Sequence, residues 1–154
     1  MKFFLTISII SFLVSAWSSA LASNLACRNI LMKLYFDLNP VVEYHPQHCH
    51  FNSLNLAKAI AKHGFSLERS RILFLKSSSK KLHAPNTRSG KNILWEWHVV
   101  LEYSGLVMDL DDPSKKAAPI STYFSTMFTN STSDILVKPV PALEILDGTS
   151  RSIP

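Results

Sequence analysis

The sequence predicts an α+β fold, with a cysteine-bearing helix packed on a small antiparallel sheet. Three observations carry this reading. After Cys49, the apolar residues Leu54, Ala57, Ile60 and Ala61 recur at three and four residues, with Lys58 and Lys62 turned away. That period predicts an amphipathic helix over His50–His63, stopped by Gly64. Ile93–Tyr103 and Leu106–Leu110 read as two strands joined by the turn signal Ser104-Gly105. Ile72-Leu73-Phe74-Leu75, within Arg71–Lys76, is a short apolar run that suits a buried strand.

The amino terminus has the form of a secretory signal. Lys2 precedes a largely apolar run, Phe3–Val14, and small residues end in Ala20-Leu21-Ala22. A membrane anchor needs roughly 20 apolar residues, and Ser15, Ser18 and Ser19 break the run too early. The expectation is cleavage of residues 1–22, a single domain over 23–154, and a secreted or periplasmic product with no stable membrane insertion.

Arg28–Asp37 mixes Ile30, Leu31, Leu34 and Phe36 with Lys33, which suits a short helix or amphipathic turn ended by Asn39-Pro40. Val41–Tyr44 reads as a brief extended piece closed by His45-Pro46. The formal charge is +5, and many of the bases fall in Lys76–Lys91. With Ser77-Ser78-Ser79 and Pro85-Asn86, that stretch reads as a solvated loop. It lacks the aromatics that a nucleic-acid site interleaves with its bases, so an acidic or polar protein partner is expected and no nucleic acid. In Ile93–Tyr103, Trp95, Trp97, Val99 and Leu101 alternate with Glu96, His98, Val100 and Glu102. Ile120–Phe128 is a last helix entered through Pro119. Val137–Ile145, broken by Pro139 and Pro141, is at most an edge strand.

Cys49, His98 and Asp109 stand in an order suited to thiol chemistry. A cysteine in the first helical turn meets the positive end of the helix dipole and unpaired amides, which stabilise an anionic sulfur and a nearby oxyanion. His98 interrupts an apolar strand where leucine would pack as well. Asp109 interrupts the next one, where a bare carboxylate is costly to bury. A hairpin register that pairs the two, or offsets them by one step, gives each the partner it lacks. Asp111 and Asp112 fall in the turn before Pro113 and read as solvated.

Other readings compete. Cys27 and Cys49 are the only cysteines, and an exported chain invites a disulfide between them. That would make the chain a stapled, non-catalytic binding module. His45, His48, Cys49 and His50 crowd together but lack the usual spacing of metal ligands, so no metal is expected. Asn130-Ser131-Thr132 is an N-glycosylation sequon.

The segment Trp95-Glu96-Trp97-His98-Val99-Val100-Leu101, then Gly105, Val107-Met108-Asp109, Pro113-Ser114 and Pro119, resembles the secreted bacterial protein-glutaminases. Upstream, Cys49, Gly64-Phe65 and Ile72–Leu75 follow the same order, and Tyr123 and Phe124 stand for the family's aromatic helix. The resemblance spans roughly Gln47–Phe128. The His-Val-Val-Leu and Asp-Leu-Asp pieces are also similar to amino-terminal glutamine amidohydrolases, which are intracellular. Asn52-Ser53 departs from the family's Arg-Ala pair after the cysteine.

The resemblance implies a papain- or transglutaminase-like core. It implies deamidation of glutamine side chains in proteins or peptides, with Cys49 as nucleophile, His98 as acid–base, Asp109 orienting it, and no cofactor. Among Asn39, Asn52 and Gln47, the candidates to donate to the oxyanion, Gln47 is preferred by analogy with papain-type sites. Trp97, Trp95 or Tyr44 would wall the glutamine stem. A cysteine protease or a transglutaminase shares the acyl-enzyme, and the triad alone does not distinguish them.

Overall fold

The structure is a computed structural model and describes residues 26–147. The expected signal segment lies outside them. Helix α1 covers 26–38 and α2 covers Cys49–Lys62. The strands are β1 (Ser70–Ser77), β2 (Leu82–Ala84), β3 (Ile93–Trp95), β4 (His98–Tyr103), β5 (Leu106–Met108), β6 (Ala118–Pro119) and β7 (Ile135–Pro141). Helix α3 spans Ile120–Met127 and α4 spans Ala142–Leu146. Five strands form one sheet in the order β6-β5-β4-β1-β7, with every neighbouring pair antiparallel, and β2 pairs with β3 in a separate ribbon.

The continuous apolar run of β1 follows from its place in the sheet. Ile72 and Phe74 face a core shared with α1, α2 and α4, while Leu73 and Leu75 face a second core built with Tyr123, Phe124 and Trp95. A strand covered on both faces has no polar alternate positions. The buried stripe of α2 is Cys49, Asn52, Ser53, Leu56, Ala57 and Ile60, which includes two polar residues that apolar periodicity passes over. Ser53 Oγ donates to Val99 O at 3.0 Å, tying this helix to β4. His63 caps the helix, and Gly64 leaves it with φ 85°, the left-handed conformation that glycine adopts without penalty.

Several expectations are corrected. Ile93–Tyr103 is two strands, because the chain bends at Glu96; Trp95 therefore joins the Val100 core rather than lying beside Val99 and Leu101. In α1 the buried residues are Leu31, Tyr35 and Leu38, whereas Ile30 and Phe36 are exposed. Val41–Tyr44 forms no strand: Val41 and Val42 are turn and bend, and Glu43 and Tyr44 have no regular structure. The basic stretch is not wholly a solvated loop: Leu82 and Ala84 in β2 and Thr87 are buried. The two prolines do confine β7 to the sheet edge. No helix among the described residues is long and apolar enough to cross a membrane.

Candidate active site

Cys49 is the first residue of α2 and is 5 % exposed. The capping residue His48 makes no side-chain cap, since its Nδ1 lies 2.9 Å from Pro46 O, and the first turn holds no acid. The first bond of the helix ladder runs from Asn52 N to His48 O at 3.0 Å. The amides of Cys49, His50 and Phe51 come before it, so helix geometry leaves them without an acceptor inside the helix. Asn52 fixes the incoming loop at two points, accepting from His45 N at 2.9 Å and donating to His45 O at 3.0 Å.

His98 opens β4 and is fully buried. Its ring stacks on Trp95 with centroids 4.1 Å apart and planes at 16°. Nε2 lies 3.0 Å from Asp109 Oδ2. Leu101 stands opposite Met108 in the β4–β5 ladder, so Asp109 falls opposite Val100, on the face of His98 and diagonal to it. Side chains at that offset still meet. Nδ1 has no hydrogen-bond partner. Burial pushes the His98 pKa down, but the charge and hydrogen bond of Asp109, with a further contribution from Cys49, outweigh it. The pKa is held well above the ordinary histidine value.

Asp109 is saturated with donors. Tyr123 Oη donates to Oδ2 at 2.6 Å and Asp111 N donates to Oδ1 at 2.9 Å. The Asp109 backbone carbonyl accepts from Tyr35 Oη at 2.6 Å, and Tyr35 in turn accepts from Asn39 Nδ2 at 3.0 Å. Apolar periodicity marks neither tyrosine for this role. The available signal was a phenol inside an apolar helical stripe, since a buried tyrosine hydroxyl usually requires a partner.

The expectation that Asp111 and Asp112 are solvated is wrong: they are 1 % and 7 % exposed. The turn after β5 folds inward because Tyr44 Oη donates to Asp111 Oδ1 at 2.6 Å and Arg88 N donates to Asp111 O at 2.7 Å. Arg88 also sits 4.7 Å above the Tyr44 ring. Burial, then the neighbouring Asp109 charge, raises the Asp111 pKa, and burial raises that of Asp112.

Asn39 Nδ2 donates to Tyr35 Oη and Asn52 Nδ2 to His45 O, and Asn52 also interacts with the Asp111 carboxyl. Gln47 is exposed two residues before Cys49, with φ 65°. For a residue with a Cβ, that conformation costs about 1–2 kcal/mol. Trp95 is committed to the His98 ring, and the Tyr44 hydroxyl to Asp111. Trp97 is 42 % exposed, and its ring centroid is 6.3 Å from that of His50.

Both cysteines are free. Cys27 lies in α1 and Cys49 begins α2. The sequon residue Asn130 is buried, accepts from His83 N, and donates to Ser77 Oγ and Lys81 O. A glycan there would replace one of the two Nδ2 hydrogens and so cost at least one of the two donated bonds.

Ligand atoms of His98, Asp109 and Asp111 lie within 4.8 Å of one another and are the one group among the described residues that could hold a metal ion. Two of the three already bond each other, so a metal would have to break that pair. The rings of His45 and His50 each lie 6.3 Å from that of His48. No protein-family model and no curated protein matches this chain.

Proposed function

We propose that this chain is a thiol amidohydrolase that deamidates glutamine side chains of proteins or peptides, on a papain- or transglutaminase-like core. The observation that carries the proposal is the buried imidazole of His98. It is bound through Nε2 to Asp109 and leaves Nδ1 without a hydrogen-bond partner, and Cys49 is among the groups that raise its pKa. The sequence resemblance to protein-glutaminases supplies the substrate class.

In this reading Cys49 Sγ attacks the carboxamide carbon as a thiolate, and a protonated His98 is its counter-charge. The uncapped amides at the start of α2 receive the developing oxyanion. Imidazolium His98 gives its proton to the departing nitrogen, and ammonia leaves a thioester on Cys49. Neutral His98 then takes a proton from water, which attacks the thioester and releases glutamate. Asp109 holds the imidazole by Nε2 throughout, and Tyr123 and Asp111 N hold Asp109. The chemistry requires no metal or organic cofactor.

The test is ammonia release from a glutamine-rich protein such as casein, with mass spectrometry for gain of glutamate. Ammonia with intact chains supports the deamidase. New amino termini without ammonia would reassign the site to peptide hydrolysis, and isopeptide cross-links to acyl transfer.

A further inference from the structure

A groove of about 340 Å³ is lined by Phe74, Leu75, Trp97, Leu136 and Val137, together with Lys76, Glu96 and Lys138. Leu136 and Trp97 are 55 % and 42 % exposed, so two large apolar side chains of the groove are open to a ligand. The strand register gives the spacing between the groove residues and His98. Leu75 pairs with His98 on one side and with Val137 on the other, so the three occupy one row across β4, β1 and β7. Two inter-strand steps are about 10 Å, the length of about three residues of extended chain.

We infer that the groove holds an extended segment of the protein substrate, with a large apolar side chain about three residues from the reacting glutamine. The inference rests on the deamidase reading above. Its occupant is a side chain rather than a further strand, because Pro139 and Pro141 in β7 offer no N–H to a partner strand. That same obstruction disfavours a second copy of this chain pairing along the edge. Trp97 joins the two regions, being next to His98 in sequence and against His50 in space.

The test uses peptides with one glutamine in a glycine–serine background and a leucine three residues before or after it. One of the two placements is expected to raise kcat/KM about tenfold over the leucine-free peptide, mainly through KM, as burial of one large apolar side chain provides. Leu136→Ser should erase that ratio. Peptide binding to Cys49→Ala, followed by calorimetry, should show the same preference without turnover, so it stands or falls apart from the deamidase reading. Equal binding by all peptides, or a preference that survives Leu136→Ser, overturns the proposal. So does a concentration-dependent dimer that Leu136→Ser dissolves, which would assign the groove to self-association.

Discussion

Tyr123 Oη donates to the same Asp109 oxygen, Oδ2, that meets His98 Nε2, at 2.6 Å. The phenol comes from α3 and the imidazole from β4, so the carboxylate is aimed by a helix that does not belong to the hairpin carrying it. Tyr123→Phe keeps the ring packed against Phe128 and removes only the donor. A loss in kcat/KM of about tenfold, or roughly 1.4 kcal/mol, is expected. Asp109→Asn can still bond the imidazole but cannot balance its charge, and should cost about a hundredfold, roughly 2.7 kcal/mol. Steady-state kinetics on one peptide would compare them, and a larger loss from Tyr123→Phe would invert the assigned roles.

Cys49→Ala and His98→Ala should abolish ammonia release while circular dichroism reports the fold intact. Cys27→Ser should keep most of the activity, because Cys27 is a free cysteine of α1 and has no part in the His98–Asp109 pair. Titration of free thiols in the folded protein should find both cysteines reduced. Wild-type rates in Cys49→Ala would remove the nucleophile from the scheme.

The raised pKa of His98 has a consequence for stability with a definite sign. The folded state holds this proton more tightly than the unfolded chain, whose histidine pKa is about 6.5. The contribution is therefore fully present below that value and lost as pH rises through the higher folded-state value. In a Cys49→Ala background, urea unfolding of His98 and His98→Gln forms from about pH 6 to about pH 10 should show the gap between them shrinking. A gap that widens with pH means the folded imidazole is neutral.

Asp111 presents the same sign from an acid. Its pKa is raised by burial and by Asp109, so its stabilising contribution is present below the unfolded carboxylate value and lost as pH rises through the folded one. At neutral pH, Asp111→Asn retains an acceptor for Tyr44 without a buried charge and should leave stability unchanged or improved. Asp111→Ala strands the Tyr44 hydroxyl and should cost about 1–3 kcal/mol. Thermal unfolding of both variants decides the matter, and an Asp111→Asn form as unstable as Asp111→Ala would mean the charge itself is required.

The sequence by itself determined what repeats locally. Residues three and four apart marked α2, Ser104-Gly105 marked the turn between β4 and β5, and Pro139 with Pro141 kept β7 at an edge. It also marked His98 and Asp109 as unusual, because a polar group inside an apolar strand demands a partner. Tertiary structure decided which partner. The bend at Glu96 turned Trp95 onto His98, which no alternation of residues along one strand predicts. Tyr44 and Arg88, distant in sequence, drew Asp111 inward from a turn whose composition reads as solvated. Tyr35 and Tyr123 reach Asp109 across 74 and 14 residues of chain. Periodicity reports the face a residue turns to the core, whereas the hydrogen bonds that satisfy a buried carboxylate depend on which elements the fold brings against it.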